Sequence, residues 1–197
     1  MLFGKLFTGL AFAALSIAPV ACAPTCEKNT AVLQVTATVI GDNARTCYNG
    51  VQSHCNNINN YIHQNNGQVS VSLAAQISVE LQACVDLLAT LYGQVSVATL
   101  TKADIQDAAP VFASTVTLLT SVLASISTAC VPGAIAVLVN VVASLLVQVN
   151  LLSGCFVTGV EGVLGLVLGG AGGVLAGLKL NINLCVSLFA SVAAVFH

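Results

Sequence analysis

Residues 101–128, TKADIQDAAPVFASTVTLLTSVLASIST, decide the fold. Thr101 and Asp104 stand three apart in the manner of a capping box, with Asp in the place of the usual Glu or Gln, and Leu100 and Ile105 occupy the hydrophobic-staple positions. A helix therefore starts here. Phe112, Val116, Leu119, Leu123 and Ile126 follow at alternating steps of four and three, which is one face of a helix. Ser114, Thr117, Ser121, Ser125 and Thr128 form an opposite face made of hydroxyls alone. Pro110 either kinks this helix or opens a new one.

The reading extends in both directions. Toward the N-terminus, Leu73 to Leu91 carries Ile77, Leu81, Cys84, Leu88 and Leu91 on one face, and Asn65-Asn66-Gly67 before it is a turn signal. Residues 31–40 alternate apolar and polar as a strand would, but their length and the lack of turn residues before Gly41 favour a helix. Toward the C-terminus, Cys130-Val131-Pro132-Gly133 breaks the chain, and Ala134 to Leu152 is a further helix with a weak polar stripe at Asn140, Ser144 and Gln148. Ser153-Gly154 reads as the next break. Gly165, Gly169, Gly173 and Gly177 then recur at every fourth residue inside 163–178, which on a helix gives a nearly bare ridge that lets another backbone approach closely. A flexible glycine-rich connection around 169–173 is the competing reading. Asn181 to Asn183 forms a break before a last apolar segment, 184–196. The expected fold is an all-α, disulfide-stapled helical bundle of about five or six helices.

Two features outside the helices set the compartment. Lys5 precedes the apolar run 10–18, which a small-residue stretch follows, in the layout of a signal peptide over residues 1–21. That run is shorter than the roughly 20 residues a membrane span needs, so cleavage is expected rather than anchoring. A single helical domain, 22–197, remains. Its cysteines, Cys22, Cys26, Cys47, Cys55, Cys84, Cys130, Cys155 and Cys185, point to disulfides in an oxidising compartment. Cutting before Cys22 keeps their number even, and the spacing leaves the pairing open. Cys130, Cys155 and Cys185 fall at or near expected breaks, where a cross-link strains the backbone least.

The domain divides into unlike halves. Residues 22–107 hold nine of the eleven charges beyond the leader and an asparagine-rich stretch, whereas 108–197 hold only Glu161 and Lys179. With four basic against seven acidic residues in the mature chain, no cationic face exists for nucleic acid. Metal binding would want close cysteine pairs in repeat, and Cys22 with Cys26 is the one such pair, so no metal or other cofactor is expected. His54 beside Cys55 would need a free thiol within reach of a base, and Glu80 and Asp86 are six apart, which does not align them on a helix. No residue set for catalysis emerges, and the chain reads as a non-enzyme.

A short leader, eight cysteines with no adjacent pair, a hydrophilic first half and a hydrophobic second half resemble the small non-hydrophobin secreted wall proteins of mushroom-forming, basidiomycete fungi. The resemblance covers the whole chain and rests on architecture. It implies a structural role in the cell wall or extracellular matrix, with hyphal attachment to hydrophobic surfaces or support of aerial growth. On that reading the protein partners itself and apolar surfaces or wall polymer, through Phe112, Val116, Leu119, Leu123 and Ile126 as contact residues and Gly165, Gly169, Gly173 and Gly177 as close-packing positions. A secreted lipid- or sterol-binding helical module and a multi-span membrane protein are the alternatives. The first needs a cavity, and the second draws on apolar lengths that reach a bilayer span.

Overall fold

The computed structural model describes residues 38–131, 133–164 and 172–196. The leader, Cys22, Cys26, Gly165 and Gly169 lie outside the described residues, as do 31–37. Five helices make up the described chain: α1 (Val39–Gln64), α2 (Val71–Ser96), α3 (Lys102–Ala129), α4 (Ala134–Leu164) and α5 (Gly172–Ala193), with a 3-10 turn at Ala194–Phe196. No strand occurs among the described residues. A single bridge joins Val69 to Cys130, where the Val69 amide donates to the Ala129 carbonyl and the Val131 amide to that of Val69. This bridge ties the α1–α2 and α3–α4 connections together.

The asparagine-rich stretch is helical because its polarity is confined to one side. Ile40, Ala44, Cys47, Val51, Cys55 and Ile58 run at steps of three and four and are all buried, while Asn56, Asn59 and Asn60 face outward. Thr38 caps the start, its hydroxyl accepting from the Gly41 amide at 2.9 Å. Asn66 and Gly67 end the helix with positive φ of 55° and 75°, a geometry that Asn and Gly tolerate best.

Thr101 and Asp104 form the expected capping box in both directions. Partial burial pushes the Asp104 carboxyl up, but its hydrogen bonds from Thr101 outweigh this and hold it below its ordinary value. Helix α3 then runs unbroken past Pro110. Its hydroxyls bond back along the helix, Thr115 to the Val111 carbonyl at 2.9 Å and Thr120 to that of Val116 at 2.7 Å. The polar groups are thereby satisfied inside the helix, so a charge-free segment can pack on two sides.

Helix α1 packs on α2 and α3, α2 on α4, α3 on α5, and α4 on α5. The five helices therefore close a ring, and α3 also meets α4 across it. There the rings of Phe112 and Phe156 stack with centroids 5.2 Å apart, both fully buried. Val116, Leu119, Leu123 and Ile126 are buried in the same core. The expectation that Phe112 and its neighbours on α3 form an outward contact face is corrected: their stripe is what α3 turns into the bundle, since burying each side chain gains about 1.5–3 kcal/mol.

Two expected breaks are absent. Helix α4 passes through Ser153-Gly154, and α5 passes through Asn181 to Asn183. A lone glycine in a long, well-packed helix loses only about 1 kcal/mol of propensity, which packing offsets. On α4 the amide oxygen of Gln148 is buried without a donor among the described residues. Gln148→Met is therefore expected to raise the unfolding free energy by up to about 1 kcal/mol, measurable by urea denaturation.

Among the described residues no disulfide staple is formed; the six described cysteines are free thiols. Cys47, Cys55 and Cys84 are buried in the seam between α1 and α2, where thiols pack as small apolar side chains. Cys155 and Cys185 stand inside α4 and α5 rather than at helix ends, which corrects the expectation that they sit at breaks. Cys130 alone of the three keeps its expected place, as the C-cap of α3.

Candidate functional site

The last turn of α2, the connection to α3 and the second half of α4 border an open cleft of about 570 Å³. Tyr92, Val95 and Ser96 line it from α2, and Ala98, Thr99 and Leu100 from the connection. Helix α4 presents Leu151, Gly154, Cys155, Thr158, Gly159, Gly162 and Val163, whose steps of three and four place them along one face. The cleft exists because that face is bare. A methyl group added at Gly154 or Gly162 would meet nothing within 4 Å. Gly159 has a different part, since a methyl there would come 2.8 Å from Leu100 Cδ1 and 3.3 Å from Ile105 Cδ1. Its missing side chain lets the connection lie down on α4 and form the cleft wall.

No charged side chain lines the cleft. Hydroxyls on Tyr92, Ser96, Thr99 and Thr158, together with the Cys155 thiol, are its polar groups, and burial pushes the Cys155 thiol up, toward its neutral form. Among the described residues the ion pair on this stretch of α4 is Glu161 with Lys179 of α5, and neither lines the cleft. Such a surface can hold an apolar chain and exchange hydrogen bonds with a neutral polar group. It has no paired acid and base, and no group of three metal-ligating side chains occurs among the described residues.

No family model and no curated relative matches this chain. Its fold is similar to that of AFMP4P, solved as a crystal structure in complex with palmitic acid. The TM-score is 0.50 at 14% identity, over 82% of this chain and 99% of that one. The likeness establishes that the five-helix arrangement is one that another chain of unlike sequence also adopts.

Of the residues singled out from the sequence, Phe112, Val116, Leu119, Leu123 and Ile126 come together, but in the core. Gly173 and Gly177 both fall in α5, and a methyl at Gly177 would meet nothing within 4 Å, so Gly177 marks no close helix contact. The cleft residues of α4 were hidden by reading Ser153-Gly154 as a break. The signal was present: Leu151, Gly154, Thr158 and Gly162 keep helical spacing straight through it.

A second polar cluster joins α1 to α2. The Glu80 carboxylate meets His54 Nδ1 at 2.6 Å and accepts from Tyr61 at 3.1 Å and Asn57 at 3.3 Å. His54 is thus engaged with Glu80, while the Cys55 thiol beside it in sequence is buried near Cys84 in the α1–α2 seam. Desolvation pushes the Glu80 carboxyl up, yet the three hydrogen bonds, His54 first, outweigh it and hold it below its ordinary value of 4.5. A depressed carboxyl stabilises the fold above its unfolded-state value, and that contribution is lost as pH falls through the lower folded-state value. The stability gap between the native chain and Glu80→Gln is accordingly expected to shrink below about pH 4.5, followed by urea midpoints across the acid range.

Proposed function

We propose that the protein is a lipid-binding helical module that holds one long-chain amphiphile in the cleft between α2 and α4. The carrying observation is the cleft itself, whose volume of about 570 Å³ falls in the range of about 300–1,000 Å³ typical of ligand pockets and whose lining is uncharged. The similarity in fold to AFMP4P, whose crystal structure contains palmitic acid, supports the same reading. The test is to purify the full chain without detergent, extract it with organic solvent and identify the extract by mass spectrometry. A long-chain lipid in near-stoichiometric amount is expected. An extract free of lipid, together with no saturable uptake of added lipid, would overturn the reading.

The wall and surface-active reading keeps one supporting observation. On α5, Leu180, Leu184 and Leu188 form a stripe at steps of four with exposures of 71%, 57% and 53%, and unpartnered apolar faces favour adsorption or self-association. In this second reading the secreted chain coats hydrophobic surfaces through α5. Replacing the three leucines by serine then abolishes surface-tension lowering, and a native chain no more surface-active than serum albumin would refute it. Helices α2 to α5 are also each long and apolar enough to cross a membrane by length and composition. Recovery only in carbonate-washed membranes would favour that alternative over both.

Export and cystine staples belong to the same proposal. In an oxidising compartment an oxidised thiol–disulfide oxidoreductase would join Cys55 to Cys84, which neighbour one another in the α1–α2 seam, before the helices close over them. Alkylation of the secreted protein in denaturant without reductant should then leave both unlabelled.

A further inference from the structure

We propose that the exposed face of α5 pairs with the same face of a second copy of this chain, the two helices running antiparallel about a two-fold axis near residue 186. Gly177, Asn181, Leu184, Leu188, Ser191 and Val195 follow one another at alternating steps of four and three, the spacing of a helix–helix seam, with Val195 in the closing 3-10 turn. All six are exposed, and their line runs opposite to Leu175, Ile182 and Phe189, which α5 buries in the bundle. Leu180 flanks the line, and it, Leu184, Leu188 and Val195 are each more than half exposed.

The order of residues along the line is what points to a second copy. Reversing it about residue 186 sets Leu184 against the partner's Leu188, Asn181 against the partner's Ser191, and Gly177 against the partner's Val195. Apolar then meets apolar and polar meets polar. A shift of one heptad in either direction sets Asn181 against a leucine or Ser191 against a leucine, so the register is specified. The polar pair also matches in sense. The Ser191 hydroxyl donates to the Ser187 carbonyl at 2.9 Å, which leaves its oxygen to accept. Asn181 Oδ1 accepts from the Cys185 thiol at 3.7 Å, which leaves the amide N–H groups to donate. An Asn181 to Ser191 hydrogen bond therefore forms twice, once on each side of the axis. A two-fold axis sets a face against itself, so a net charge on the face would meet its own sign. This line carries none, since the one charge of α5, Lys179, lies off it and pairs with Glu161. A lipid or wax surface is the rival occupant. It asks only for apolar area and gives no reason for this symmetry or for two polar residues within the line.

One helix face gives an interface near the low end of specific contacts, about 1,200 Å² in total, so a reversible dimer of micromolar affinity is expected. Sedimentation equilibrium of the full chain, purified without detergent, is the test. The native chain should pass from monomer to dimer across the micromolar range. Leu184→Glu and Leu188→Lys should each weaken the dimer by about tenfold or more, because each buries a charge against the partner's leucine. Both side chains face solvent in one copy, so circular dichroism should be unchanged. An equimolar mixture of the two variants should regain the dimer, because the antiparallel register brings the two new charges, of opposite sign, together. Asn181→Asp, close to isosteric, is the milder variant should either of these fold poorly; it too weakens the dimer, since a carboxylate has no proton to donate to Ser191. A native chain that stays monomeric, a dimer untouched by the variants, or a mixture without rescue would each overturn the pairing. A monomer whose coating of an oil–water boundary is lost in Leu184→Glu would overturn it as well and assign the face to an apolar surface.

Discussion

Asp107→Ala is expected to lower the unfolding free energy by about 2–3 kcal/mol, seen in chemical denaturation as a reduced midpoint with an unchanged slope. The Asp107 side chain is 6% exposed and reaches from α3 to the start of α1. It accepts from the Thr38 backbone amide at 3.0 Å and from the Thr38 hydroxyl at 3.4 Å, and it pairs with the Arg45 guanidinium. One carboxylate thus satisfies the N-cap residue of α1 and places negative charge at the positive end of that helix. Arg45 is 42% exposed and returns to water when its partner is removed, which keeps the loss below that of breaking a fully buried pair.

The same contact explains Gly41. A methyl group there would lie 1.8 Å from Asp107 Oδ2 and 2.4 Å from its Cγ, so Gly41→Ala must push the carboxylate out of place. Gly41→Ala and Asp107→Ala should therefore cost similar amounts separately, and the double variant little more than either. A double-mutant cycle with a coupling of about 2 kcal/mol is the expected result. Additive losses would show that Gly41 and Asp107 act through different contacts.

The sequence made helices legible wherever an apolar stripe and a cap coincide. The 101–128 helix is readable from Thr101, Asp104 and the Phe112 to Ile126 stripe because capping and periodicity are local properties. Which way such a stripe faces is not local. The charge-free character of 108–197 suggested an outward apolar surface, whereas α3 sends its stripe inward and satisfies its hydroxyls on its own carbonyls. Breaks were over-read for a related reason. Ser153-Gly154 and Asn181 to Asn183 have weak propensity, but in helices of 31 and 22 residues packed against neighbours, tertiary contacts outweigh a local deficit of about 1 kcal/mol per glycine. The cleft depends on Leu100 crossing Gly159, a contact between residues 59 apart in sequence, and no spacing rule reaches that far.

Gly162→Phe and Gly154→Phe are expected to lower lipid affinity by about tenfold or more while leaving the fold as stable as before or slightly more so. Both positions line the cleft, and at both a new side chain begins in open space, so it fills ligand volume without striking the protein. Helix propensity works in favour of the substitutions, since any side chain other than proline fits a helix interior better than glycine by a few tenths to about 1 kcal/mol. Gly159→Ala provides the contrast. It lines the same cleft and adds only a methyl, but that methyl meets the far ends of the Leu100 and Ile105 side chains, so the shift they must make offsets the gain in helix propensity and a net stability change within about 1 kcal/mol is expected. Thermal unfolding and lipid dialysis on the three variants separate the two effects. Loss of binding in the Phe variants with an unchanged melting temperature assigns the site to the cleft. Undiminished lipid binding in both Phe variants would show that the bare face of α4 serves packing or solvent and not a ligand.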